Sequence, residues 1–192
     1  MKKEELTQNI EQVLEGLKNM VTDQGLLKTI LKAADLISRA MERGNKLMIC
    51  GNGGSAADAQ HMAGELVCRF YKDRKPLSAM ALSTDTSVLT AISNDYSYGD
   101  IFKRQIQAHA KKGDVLLGIS TSGNSKNVRA AFEEARKRGM KTILLTGKKG
   151  TTMSALSDIA IKVPSSDTPR IQEMHLVIEH SICEAVERRT CG

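Results

Sequence analysis

Tryptophan is absent from the chain, and aromatic residues make up only 3% of it. Proteins that hold single-stranded nucleic acid stack bases on rows of aromatic rings, so this composition argues against such a platform. The formal charge of +6 and the pI near 9.2 do not restore that reading, because the lysines and arginines are dispersed. A small anionic substrate accounts for the charge equally well. Cysteine is sparse too: Cys50, Cys68, Cys183 and Cys191 never fall at C-x-x-C spacing, which excludes a thiolate zinc site or a disulfide framework and leaves them as reduced thiols. No apolar run approaches the roughly 20 residues needed to cross a bilayer. The start, Met-Lys-Lys-Glu-Glu-Leu, has acidic residues and no hydrophobic segment of a secretory signal. A cytoplasmic protein with no membrane partner and no nucleic-acid partner is therefore expected. Nucleotide fingerprints are missing as well: neither G-x-x-x-x-G-K-[ST] nor G-x-G-x-x-G occurs, and no acidic residue follows the second expected strand at Leu82 to bind a ribose. No nucleotide cofactor is expected.

What is present is an ordinary globular composition, 41% hydrophobic and 26% charged over 192 residues. One domain of that length buries roughly 70% of its unfolded surface. Leu6, Ile10, Val13, Leu14, Leu17, Met20 and Val21 recur at helical spacing, as do Leu27, Ile30, Leu31, Ala34, Ile37 and Met41. They predict an N-terminal helical hairpin over residues 1–44, broken at Gly25 and stopped at Gly44. Such a pair has no crossover role and is free to lie against the sheet or another subunit. Residues 45–192 then alternate. Strands are expected at Lys46–Cys50, Ser78–Leu82, Val115–Ile119, Lys141–Leu145 and Ile159–Val163, with helices over 55–70, 86–93, 99–111, 125–138, 151–156 and 170–188. Repeated βα units with right-handed crossovers give a five-stranded parallel sheet flanked by helices, an α/β fold of the flavodoxin-like kind. Ligands bind beyond the carboxyl ends of such strands.

The centre of the chain is Asp114-Val-Leu-Leu-Gly-Ile-Ser-Thr-Ser-Gly-Asn-Ser125. Val115 to Ile119 is apolar without alternation, as suits a strand covered on both faces. Ser120, Thr121, Ser122 and Ser125 supply hydroxyls, Gly123 permits a tight turn, and a helix follows. Its free N–H groups and positive dipole end then point back at the loop, forming a phosphate cradle without a Walker lysine. The alternative is a serine-rich turn with Ser125 as a plain N-cap. Asn52, Gly53, Gly54 and Ser55 form a second strand-loop-helix junction at the same sheet edge, so one loop can hold a phosphate while the other holds the rest of a sugar.

Two helices carry the remaining candidates. After the glycine loop, Ala59, Met62, Ala63, Leu66 and Phe70 make a buried stripe, with Asp58, His61 and Glu65 opposite it. His61 and Glu65, one turn apart, are either a solvated pair or a base and a ligand facing one pocket. In the last helix Ile171, Met174, Ile178, Ile182 and Ala185 form one apolar stripe, and Gln172, Leu176, His180 and Cys183 share a second face. His180 is either an interior histidine or part of an active-site wall. His109 and His175 have no such company and are left structural.

With these residues assembled, the chain resembles the sugar isomerase (SIS) domain family and, within it, the phosphoheptose isomerases. The resemblance runs nearly end to end. It is carried by Cys50-Gly-Asn-Gly-Gly-Ser-Ala-Ala-Asp-Ala-Gln-His61, Gly64-Glu65, Thr84-Asp85-Thr86, Asn94-Asp95, Gly118-Ile-Ser-Thr-Ser-Gly-Asn-Ser125, Arg170-Ile-Gln-Glu173 and His180. It implies that Ser120, Thr121, Ser122 and Ser125 hold the phosphate end, and that Asn52, Gly53, Gly54, Asn94 and Asp95 line the sugar, with Ser55 assisting. Glu65 is then the base at the reacting carbon and His180 its acid-base partner, while His61, Glu65, Gln172 and His180 form a site for one zinc per subunit. The implied reaction converts sedoheptulose 7-phosphate to glycero-manno-heptose 7-phosphate by a 1,2 proton shift through an enediol. The implied assembly is a homotetramer with sites between subunits. Some relatives have Asp directly before Arg-Ile-Gln-Glu; here Pro169 stands there and Asp167 lies two positions earlier, so no role carries over to Asp167. The same fold also serves sugar-phosphate sensors and a non-catalytic protein that binds the bacterial replication initiator. That non-catalytic branch lacks the Glu and His found here at 65 and 180.

Overall fold

The computed structural model describes residues 1–149 and 152–190. Thr151, the expected start of the short helix, and Cys191 lie outside them. Five parallel strands, β1 (Leu47–Cys50), β2 (Ala79–Ala81), β3 (Val115–Ser120), β4 (Lys141–Thr146) and β5 (Ile159–Lys162), form one sheet in the order β2-β1-β3-β4-β5. The helices are α1 (Lys3–Thr22), α2 (Gln24–Glu42), α3 (Gly54–Val67), α4 (Thr86–Asp95), α5 (Ile101–His109), α6 (Lys126–Lys137), α7 (Thr152–Leu156) and α8 (Thr168–Thr190). A short 3-10 turn at Tyr98–Asp100 leads into α5.

Alternation along each strand divides the core. Leu47, Ile49, Val115, Leu117, Ile119, Ile143 and Leu145 pack with buried residues of α1, α2, α3 and α8. Met48, Cys50, Leu116 and Leu144 point the other way, into α4, α5, α6 and α7. A sheet covered on both faces needs apolar residues at every position, and β1 and β3 are buried throughout. At Gly118 a Cβ would lie 2.2 Å from Cε2 of Phe132 and 2.8 Å from Cγ1 of Val128. Its absence lets α6 lie directly on β3, which fixes the start of α6 beside the loop that ends β3.

Three expectations change. The opening helices break at Asp23, not Gly25: Asp23 closes α1 and its side chain accepts the Leu26 N–H at 2.9 Å to start α2. A carboxylate that satisfies an orphan N–H is a stronger stop here than a glycine, which α2 absorbs in its first turn. Both helices follow α8 in the same sense, so α2 continues onward from α1 and the two do not fold back on each other as the expected hairpin would. The Arg170 guanidinium donates to the Asn9 carbonyl, Gly16 packs on Met174, and Arg189 pairs with Asp35 and Glu42. The second buried face of α8 also differs from the expected one. It runs through His175, Glu179, Cys183 and Glu187, whereas Leu176 is exposed. Helical arithmetic identifies a second face, but not which polar residues α3 and β4 will cover.

Candidate active site

The order β2-β1-β3 reverses the direction of winding between β1 and β3, and the crevice beyond such a switch point is where open α/β sheets bind ligands. The two loops singled out in the sequence flank this crevice, since Cys50 pairs with Gly118. After β3 the chain turns at Gly123, whose φ is +65° and whose N–H donates to the Ser120 carbonyl at 3.0 Å. Ser125 occupies the N-cap position of α6 with φ −64° and ψ 115°, yet its hydroxyl caps no backbone N–H. It lies 2.9 Å from Oγ of Ser120 instead. The plain N-cap reading is thereby set aside: the hydroxyl is turned into the loop. Ser122 Oγ accepts from the Asn124 N–H at 3.2 Å.

Next to Thr121 and Ser122 opens a cavity of about 490 Å³, also bordered by Lys148, Lys149, Ser166 and Thr168. It is held in shape by backbone bonds from Gly147 to the Thr121 carbonyl (3.1 Å) and from Lys148 to the Ser165 carbonyl (2.8 Å). Hydroxyls and two ammonium groups around one space suit a dianionic group. The lysines were missed from the sequence, although they directly follow β4 at the carboxyl edge, where the fold rule says to look.

The β1 loop is tied to the β3 loop by a reciprocal amide pair. Asn52 Nδ2 donates to Asn127 Oδ1 at 2.9 Å and Asn127 Nδ2 donates back to Asn52 Oδ1 at 2.8 Å, while the Tyr98 hydroxyl donates to the same Asn52 oxygen at 2.9 Å. One N–H of Asn52 is left for a ligand. Asn127 and Tyr98 carried no signal in the sequence beyond lying near the loops. Gly53 has φ +57°, and a Cβ on Gly54 would lie 2.2 Å from Nε2 of Gln172, so Gln172 rests on the first turn of α3. Ser55 is buried beneath the loop. Asn94 and Asp95 end α4 and bond to each other at 2.9 Å; among the described residues, Tyr98 makes the link from this segment to the β1 loop.

Helices α3 and α8 lie side by side and bring together residues 119 positions apart. Nε2 of His61 and Nε2 of His180 are 2.9 Å apart, with ring centroids 5.1 Å apart, and Glu65 Oε1 is 3.4 Å from the same His61 nitrogen. Behind them Glu179 is fully buried, and neither of its oxygens nor Oδ2 of Asp58 finds a hydrogen-bond partner. Burial, and then the neighbouring Asp58 charge, push the Glu179 carboxyl up to about 9, so it is a neutral acid at pH 7. Burial likewise raises Asp58, opposed by His61. Sequence arithmetic placed Asp58 opposite the apolar stripe without showing that α8 covers it.

Of the four expected zinc donors, His61, Glu65 and His180 stand together, while Gln172 rests on Gly54 instead. Among the described residues no group of three or more His, Cys, Asp or Glu is arranged to hold a metal ion. The donor chemistry nevertheless suits zinc: two imidazole nitrogens face each other beside a carboxylate.

A parallel sheet whose switch point carries a serine-threonine loop and a glycine loop defines the class: a model of the SIS domain matches residues 7–147. Phosphoheptose isomerase of Burkholderia pseudomallei (strain 1710b) is 50% identical over 187 residues, covering 97% of this chain and 95% of its own. That of Helicobacter pylori (strain P12) is 53% identical over 174 residues, 91% of this chain and 90% of its own. The solved structure of the phosphoheptose isomerase from Neisseria gonorrhoeae superposes with a TM-score of 0.91 at 39% identity, covering 97% and 98% of the two chains. The chain belongs to the SIS domain family and, within it, to the phosphoheptose isomerases; it is an isomerase.

Proposed function

We propose that the protein interconverts sedoheptulose 7-phosphate and D-glycero-D-manno-heptose 7-phosphate, the first step toward an activated heptose. The observation that carries this reading is the meeting of Glu65 from α3 with His180 from α8 through His61, beside loops suited to a phosphate and a polyol. In the open-chain ketose, Glu65 takes a proton from C1 as the C1–C2 double bond forms and the C2 carbonyl becomes an enediolate oxygen. It then returns the proton to C2 as the carbonyl forms at C1, while the O1 hydroxyl proton passes to the C2 oxygen with His180 as acid-base partner, so nothing is gained or lost over the cycle. A carboxylate is a weak base toward carbon, so the developing oxyanion must be stabilised, and in this reading His180 is its donor. Ser120, Thr121, Ser122 and Ser125 hold the phosphate with Lys148 and Lys149, and Asn52, Gly53, Gly54, Asn94 and Asp95 face the sugar with Ser55 in support.

The reading includes one zinc ion per subunit, held by His61, His180 and Glu65, with Gln172 as a fourth donor once its amide leaves Gly54; Glu65 would have to leave the metal before acting as the base. Bound there, zinc would supply Lewis-acid polarisation of the sugar carbonyl. It also includes a homotetramer with sites between subunits, located in the cytoplasm. The decisive assay incubates the purified protein with sedoheptulose 7-phosphate and follows the aldose. No conversion, by protein that is folded and zinc-loaded, would refute the substrate. Metal analysis of protein prepared without chelator should return one zinc per chain, and substoichiometric zinc with activity indifferent to EDTA would leave the imidazoles as a hydrogen-bonded pair.

A further inference from the structure

Between α3 and β2 the chain runs without regular structure from Cys68 to Ser78, yet it supplies one half of a buried ion pair with α8. Arg74 Nε donates to Glu187 Oε1 at 3.0 Å, and the two side chains are 3% and 2% exposed. Each partner does more than neutralise the other. Glu187, on α8, accepts the backbone N–H groups of Phe70 (2.9 Å), Tyr71 (2.8 Å) and Lys72 (3.0 Å). Arg74 donates Nη2 to the carbonyl of Glu65 (3.0 Å) and Nη1 to the carbonyls of Leu66 (2.8 Å) and Lys75 (3.2 Å). The last carbonyls of a helix lack intrahelical partners, and here a guanidinium fork supplies them.

We propose that Arg74 and Glu187 are positioning residues for the isomerase site: they clamp the last turn of α3 to α8 and so set Glu65 against His180. Arg74 grips the backbone of the very residue whose side chain is the base. Glu187 lies seven positions, about two helical turns, beyond His180 on the same helix. The ring of Phe70, whose N–H Glu187 holds, lies 5.7 Å from the His180 ring. The two helices keep one register, with Gly54 at Gln172 and His61 at His180, and the chain just past α3 continues it with Phe70 at Glu187. A buried ion pair is weak evidence for stability, since apolar residues of like size often serve as well, but its directional bonds admit few alternative registers. Burial opposes ionisation of Glu187, yet the three backbone N–H groups and Arg74 hold its carboxyl at about 2, so the clamp is charged at working pH.

This inference rests on the reading of Glu65 and His180 as the reacting pair. The test is Arg74→Lys, which keeps a cation beside Glu187 but lacks the fork that reaches the Glu65 and Leu66 carbonyls together. Glu187→Gln is the second variant, for the case that the first does not fold. Displacing a base by about 1 Å costs on the order of 10²-fold, so kcat should fall about 10- to 100-fold. KM for the sugar phosphate should stay within about threefold, because the loops that bind it are untouched. Crystal structures of wild type and variant should show the Glu65 carboxylate moved from its place 3.4 Å from His61. A folded variant with Glu65 unmoved and kcat within about twofold of wild type, or with lost stability but an unchanged kcat per folded site, would overturn the clamp. Wild-type protein inactive on sedoheptulose 7-phosphate would instead sink the reading of the reacting pair, and the crystal structures would still decide the clamp.

Discussion

Glu65 has little to do for the fold. Its carboxylate is only partly buried and its partner in the structure is the more exposed His61. Glu65→Gln keeps size and reach but removes the basic oxygen, so the chain should fold normally while turnover drops by about 10²- to 10⁴-fold, the span a general base supplies. A Gln variant with near-normal kcat would exclude Glu65 as the base. At the other end of the substrate, a hydroxyl bonded to a charged group contributes about 1.5 to 3 kcal/mol, so Thr121→Ala should weaken heptose phosphate binding about tenfold or more, read by calorimetry. Unchanged affinity would move the phosphate away from this loop. These residues were legible in the sequence because their types are unusual where they stand: hydroxyls crowd the end of an apolar strand, and a histidine and a glutamate share one helix face. Asn127, Tyr98 and Lys148 were not, because an asparagine, a tyrosine or a lysine near a loop is commonplace. Only the structure shows that Asn52 is bonded on both edges of its amide, and that the chain after β4 bends toward Thr121.

Among the elements, the sheet was the most legible, because a strand covered on both faces leaves an apolar run that no surface element imitates; all five strands fall within two residues of their expected limits. The residues of α3 and α8 that meet each other were less so. His175 and Glu179 are both fully buried, and neither oxygen of Glu179 finds a hydrogen-bond partner; they are titratable side chains that a periodicity argument would place in water. Their titrations pull in opposite directions. Burial lowers His175 to about 4, slightly opposed by the Thr146 backbone, so between pH 6.5 and 4 the unfolded chain binds the extra proton and stability falls as the pH falls. Glu179 keeps its proton when folded up to about 9, whereas the unfolded chain loses it near 4.5, so stability falls as the pH rises through that window. Glu179→Gln removes the second slope. The variant should gain on the order of 1–3 kcal/mol relative to wild type at pH 8, with the difference vanishing toward pH 4.5, as measured by urea unfolding at both values. An equal effect at the two pH values would show that Glu179 is already ionised in the fold.

The whole chain leaves an apolar surface that its own fold does not cover. Leu6, Ile10 and Leu14 recur every fourth residue along α1 and are each about half exposed, and Val21, Leu31 and Val177 continue the exposure over α2 and α8. Between those three helices lies a groove of about 560 Å³ lined by Leu17, Met20, Val21, Leu27, Ile30, Leu31, Val177, Ile178 and Ser181. Monomers rarely leave contiguous apolar patches of more than a few hundred Å² in water, so this face calls for a partner. Among the described residues no helix is long and apolar enough to cross a membrane. Closed homo-oligomers are the usual solution, and the amphipathic opening helices, which have no crossover to make, are the elements free to build one. The homotetramer proposed above would scatter light as a species of about four times the 20.9 kDa of the chain. Leu14→Glu places a charge on the exposed stripe without touching the sheet. It should yield a smaller species with unchanged helical circular dichroism. If the sites form between subunits, its specific activity should fall in step with the loss of tetramer as the protein is diluted. A wild-type chain that is monomeric at micromolar concentration and fully active would refute both the assembly and the shared site. A Leu14→Glu variant that dissociates yet keeps full activity would refute only the second, and would place every residue the chemistry needs within a single chain.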